Sequence, residues 1–201
     1  MISIIFDIII SVCIFFFSIK DRKIFKFGFQ GYYIFFSLLI VVSFLICQIL
    51  ITDFFYGYYE KSMEIDGLFM ISILIKSLTE EVVFRGFFLD KFLKKYKETI
   101  SIIIVSIGFA LLHVFSRSNV LLAFISSIII SVIFIKRRSI IDCFVIHLSI
   151  NLFSIFLLPE ISNYFQTVNR IYLPTYFFII FVVFLVSLFF FIKKLRIKTF
   201  E

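Results

Sequence analysis

The chain has 201 residues, 62% of them hydrophobic, and a net charge of +7. An ordinary soluble domain is nearer half apolar, so a water-soluble globule is excluded, and no stretch is left over for a separate soluble domain. The basic residues lie between apolar blocks rather than in one patch, which speaks for loops at a membrane face and against nucleic acid.

The apolar blocks are roughly 17–22 residues long, the length a helix needs to cross about 30 Å of hydrocarbon. Seven such spans can be drawn, over about 2–18, 31–51, 67–89, 100–116, 119–135, 140–158 and 172–192. The sequence therefore predicts an all-α, polytopic transmembrane bundle in a single membrane domain, 1–201. The first block has no basic residue before it, holds Asp7, and is followed by Lys20-Asp21-Arg22-Lys23 without a small-residue cleavage pattern. It reads as a retained helix rather than a signal peptide. Spans 4 and 5 are separated only by the Arg117-Ser118 corner, which predicts a tight helical hairpin. Pro159 marks the end of span 6, and Pro174 falls in the first turn of span 7, where proline is tolerated. Tryptophan is absent, so the interfacial belt falls to tyrosines, as at Tyr32-Tyr33 and Tyr56 to Tyr59. Cys13, Cys47 and Cys143 lie inside apolar blocks with no ligand-like spacing and read as small hydrophobes.

Lysine and arginine test this drawing. The connections after successive spans, ending with the C-terminal tail, carry 4, 1, 4, 1, 3, 1 and 4 of them. That alternation is what the positive-inside rule gives for an odd number of spans with the N-terminus outside and the C-terminus inside.

Ionisable groups inside spans are costly and mark function by default. Span 3 carries Lys76, Glu80, Glu81 and Arg85. Glu81 and Arg85 are four apart and meet on one helical face, while Glu80 is turned about 100° away, so one carboxylate is braced and the other available. Lys76, one turn before Glu80, either pairs with it or snorkels outward, the latter being the preferred reading. Span 4 holds His113, with Phe109 one turn below. Span 6 holds His147 and Asn151, whose spacing puts two hydrogen-bonding side chains on one face. With 1.5 Å of rise per residue, Glu80 lies about 13 Å from the inner surface, His113 about 20 Å, His147 about 10 Å and Asn151 about 16 Å. All four share one layer. The bland alternative is a polar layer that only holds helices together, a use membrane helices make of such residues.

A carboxylate beside a histidine can turn a water into a nucleophile. A second histidine with an asparagine can steady the oxygen that becomes negative when a carbonyl is attacked. These are the parts of a peptide hydrolase that forms no acyl-enzyme. Ser149 points off the His147–Asn151 face, and no serine or cysteine has a clear base partner. Two histidines and a glutamate also ligate many hydrolytic zinc ions, but H-E-x-x-H is missing and the Arg85 charge disfavours a cation. Neither metal nor cofactor is expected.

The order E-E-x-x-x-R at 80–85, F-x-x-x-H at 109–113 and H-x-x-x-N at 147–151 resembles the CPBP family of CAAX-type and bacteriocin-processing proteases, over about residues 67–158. The resemblance implies an intramembrane glutamic endopeptidase with its catalytic core in 67–158. Glu80 resembles the catalytic glutamate and His113 its partner in activating water; His147 and Asn151 resemble the oxyanion-binding pair; Glu81, Arg85 and Phe109 resemble support for the site. The expected partners are a peptide or membrane-protein substrate and the lipid bilayer. The AT-rich character of the composition, with 33 phenylalanines, favours a bacterial plasma membrane and a substrate that is not prenylated. The alternative of another class is a non-catalytic membrane-interaction or bacteriocin self-immunity protein. A small carrier is disfavoured by the lack of an inverted repeat.

Overall fold

Apolar blocks bounded by polar corners give helices, and helices are what the computed structural model contains. It describes residues 31–56, 66–115, 120–167 and 170–197. The span drawn over 2–18, Cys13 and the Arg117-Ser118 corner lie outside the described residues. In chain order the helices are α1 (Gly31–Tyr56), α2 (Gly67–Glu81), a wider π-helical stretch (Val82–Leu89), α3 (Asp90–Leu93), α4 (Glu98–Phe115), α5 (Val120–Arg137) and α6 (Ile140–Leu152). A second π-helical stretch (Phe153–Leu157), α7 (Leu158–Thr167), a short turn of 3-10 helix (Arg170–Tyr172) and α8 (Leu173–Ile197) follow. Six of the seven predicted spans thus coincide with helix. Three helical stretches, Val120–Arg137, Ile140–Leu157 and Pro174–Lys193, are long and apolar enough to cross a membrane, and Ile34–Cys47 and Glu98–Val114 are shorter apolar helices.

The chain falls into two compact units. The described part of the first is 66–148. Asp66 starts it: its side chain accepts a hydrogen bond from the Phe69 amide at 2.7 Å and fixes the entry into α2. α4 packs against α5, as the predicted hairpin requires. A two-residue corner then turns the chain from α5 into α6. Arg138 adopts a left-handed conformation (φ 51°) just past the helix end, the position that closes a helix. The Ser139 hydroxyl caps the Asp142 amide at 3.2 Å, and Arg137 Nε bonds Asp142 at 2.7 Å. Arg138 and Lys94 both hold Asp90, at 2.7 and 2.8 Å, tying the end of the third span to this corner. Burial works to raise the Asp90 carboxyl, but hydrogen bonds from Lys94 and Arg138 and their positive charges bring it below its ordinary value.

The second unit holds 31–56 and the residues from 149 on. α1 and α8 run against one another through Phe36–Phe190 and Phe44–Phe184 ring pairs. At one end Leu50 and Phe165 are buried with Ile46, Ile161, Tyr176 and Phe177 around them. Serines in these apolar helices satisfy themselves on the preceding turn: Ser43 donates to the Leu39 carbonyl and Ser187 to that of Val183. Pro174 sits in the first turn of α8, where its missing amide is no loss, whereas Pro159 is the second residue of α7, which continues directly from the π-helical stretch ending at Leu157.

Candidate active site

The site begins where α2 changes pitch. Thr79 donates to the Ile75 carbonyl, and beyond Glu81 the backbone widens into the π-helical stretch, a departure from α geometry found mostly at functional sites. The two adjacent carboxylates at this junction diverge, as the spacing predicts. Glu81 is wholly buried, and Arg85 Nη1 donates to its Oε1 at 3.0 Å with the guanidinium equally buried. Glu80 keeps 15% of its side chain exposed. Lys76 pairs with it at 3.7 Å rather than only snorkelling, while half of the lysine stays accessible. An ion pair this open contributes little.

Arg85 reaches further than the sequence indicates. Its Nη2 donates to both the backbone oxygen and the hydroxyl of Ser127 in α5, at 3.2 and 3.0 Å, and its guanidinium carbon lies 4.8 Å from the centre of the Phe109 ring. Two buried polar atoms of the pair, Glu81 Oε2 and Arg85 Nε, have no protein hydrogen-bond partner. Ser127 is a residue that motif reasoning missed. The available signal was a group of serines, Ser126, Ser127 and Ser131, in an otherwise apolar span; all three are buried.

His147, in α6, joins both carboxylates. Its Nδ1 lies 2.7 Å from Glu81 Oε1 and its Nε2 3.5 Å from Glu80 Oε2. Glu81 is held as an acceptor by Arg85, so the short contact is an Nδ1–H donating to the carboxylate. That leaves Nε2 as the ring atom facing Glu80. His113 is fixed in an analogous way. Its Nδ1 is 2.9 Å from the Phe109 carbonyl oxygen, which can only accept, so Nδ1 carries the hydrogen and Nε2 a lone pair. Phe109 is the common neighbour: its ring centre is 4.6 Å from that of His113, 5.5 Å from that of His147 and 5.1 Å from that of Phe84.

Of the residues named from sequence, Glu80, Glu81, Arg85, Phe109, His113 and His147 therefore gather in the first unit. Asn151 follows His147 by one turn in α6 and belongs to the second unit. No three His, Cys, Asp or Glu side chains among the described residues stand together as a metal-ligand group. What the cluster offers is an acid with partial access, a second acid locked in place, and two imidazoles whose Nδ1 positions are already committed.

Over residues 66–153 the chain matches the model of a family described as type II CAAX prenyl endopeptidase Rce1-like. The matched stretch contains all three motifs, and it bears out the resemblance they suggested. No curated protein and no solved structure matches the chain.

Proposed function

From an Rce1-like segment that spans residues 66–153, we propose that this protein is an intramembrane endopeptidase that hydrolyses peptide bonds with a water activated by Glu80 and His113. The observation that carries the reading is the division of labour between adjacent acids. Glu81 is buried and bonded to Arg85, whereas Glu80 is partly accessible and faces His147 at 3.5 Å. A general base must reach its water, and Glu80 is the carboxylate that can.

The steps follow from the hydrogen positions. Nε2 of His113 accepts a hydrogen bond from the water while Glu80 takes its proton. The oxygen of that water bonds to the peptide carbonyl carbon, and the carbonyl oxygen becomes negative. Glu80 passes the proton to Nε2 of His147, which then donates to that oxygen; the H-x-x-x-N motif at 147–151 is what suggests the Asn151 amide as a second donor. Such donors in a site of low dielectric are worth about 3–4 kcal/mol of barrier each. The proton finally goes to the leaving amine as the C–N bond breaks. No acyl-enzyme forms and no metal is required; the Arg85 guanidinium, so near Glu81, repels a cation.

The protein is read as a multi-pass protein of a bacterial plasma membrane, with seven spans, N-out and C-in. Its substrate is a peptide or a membrane-protein segment at the membrane surface. The second reading, a non-catalytic interaction or self-immunity protein, draws support from one fact: the Arg85–Ser127 and Glu81–His147 bonds also tie three helices together.

The test is a panel of membrane-associated peptides, prenylated and unprenylated, offered to the purified protein in nanodiscs after exhaustive chelation. Cleavage of unprenylated peptides in chelator is expected. Loss of cleavage on chelation would transfer the chemistry to a metal, and no cleavage of any peptide would favour the second reading.

A further inference from the structure

The bonds around Arg85 form one continuous path. Ser127 in α5 holds Arg85 Nη2 through two acceptors, Arg85 Nη1 holds Glu81 Oε1, and the same Oε1 accepts from His147 Nδ1. At the end of the path His147 Nε2 faces Glu80. Ser127 lies outside all three motifs. We propose that Ser127 is a positioning residue of the site: by anchoring Arg85 it holds Glu81 in place and so fixes the ring of His147 with Nδ1 protonated and Nε2 directed at Glu80.

The physical argument is one of alternatives. A buried guanidinium must place each of its N–H groups, and Arg85 already leaves Nε without a protein partner. Take away the Ser127 hydroxyl and a second donor is stranded. The guanidinium then gains by turning toward Glu81 Oε2, the carboxylate oxygen that has no protein partner. That turn moves Oε1 away from Nδ1, and a neutral imidazole whose Nδ1–H has lost its acceptor can place the hydrogen on Nε2 instead. In that tautomer Nε2 can no longer receive the proton that Glu80 takes from water. Threonine at 127 keeps the hydroxyl and alanine does not, so the pair isolates the one contact. Phe109 flanks Arg85 and both imidazoles and stays unchanged throughout.

This inference deepens the reading of the site as hydrolytic, but its primary test does not need activity. The chain has two histidines, so selective nitrogen labelling of histidine gives two imidazoles, told apart by a His113→Gln variant. In the wild type the His147 ring is expected to show a protonated Nδ1. In Ser127→Ala the protonated-Nε2 form is expected to grow at its expense, and in Ser127→Thr the wild-type pattern to return. If Ser127→Ala does not fold, Arg85→Lys serves: it keeps the charge but its single nitrogen cannot hold Glu81 and Ser127 as two nitrogens do, and it is expected to give the same change. A His147 ring that is unaltered in Ser127→Ala, or in Arg85→Lys where that variant is the one that folds, overturns the proposal. So does a wild-type ring protonated at Nε2 alone. On a cleaved peptide, kcat of Ser127→Ala should fall about 10-fold with KM unchanged and threonine restoring it; a change in KM alone would also overturn it. If the wild type cleaves nothing yet the His147 ring responds as described, the endopeptidase reading fails and the positioning role of Ser127 stands.

Discussion

Glu81 and Arg85 are buried as ions, and that makes them unequal to any single replacement. Removing one leaves the other charged and unpaired in a medium that penalises it, at a cost of about 3–5 kcal/mol. Arg85→Ala is therefore expected to lower folded yield sharply in detergent, as read by size-exclusion chromatography. Replacing both at once, with Glu81→Leu and Arg85→Met, removes the charges together and should recover most of that yield, because apolar isosteres of a buried pair are often neutral in stability. Hydrolysis should not return with it, since His147 then has no acceptor for Nδ1. Recovery of both folding and cleavage in the double variant would show that the pair is only structural. The Glu81–Arg85 contact was legible in the sequence because both ends sit on one helix, where spacing alone fixes proximity. The contacts to Ser127 and between His147 and the two acids were not, because they join separate helices and depend on how those helices pack.

At the scale of elements, the corner between α5 and α6 sets the register of His147. Its capping serine is buried, and Ser139→Ala is expected to cost about 1 kcal/mol of stability, seen as a lowered midpoint of thermal unfolding. Asp90 makes this corner pH-sensitive. Its carboxyl is held below the ordinary range by Lys94 and Arg138, so the stabilisation is present above the unfolded value, near about 4, and is lost as pH falls through the folded one. Asp90→Asn should be less stable than the wild type at neutral pH, with the gap closing on acidification; a gap that is constant with pH would contradict the ion pair. That 67–89 and 140–158 are helical was readable from hydropathy. The π-helical stretches within them were not, because a run of apolar residues fits either pitch and tertiary packing decides between them.

For the whole molecule, the alternation of basic residues makes a prediction that needs no activity. In a protein stripped of its own cysteines, a membrane-impermeant maleimide should label Tyr164→Cys, at an exposed position of α7, from outside intact cells. Lys97→Cys should label only after permeabilisation. The opposite pattern would invert the drawn topology. The layer shared by Glu80, His113 and His147 was legible as depth, since rise per residue converts sequence position into height; that Glu80 would face His147 directly was not, because height leaves rotation open. All of this converges on the claim that Glu80 is the base of a peptide hydrolase. The most direct measurement is the cleavage rate of purified Glu80→Gln in nanodiscs, compared with the wild type at matched thermal stability. A loss of about 100-fold or more is predicted, and cleavage at the wild-type rate would contradict the account.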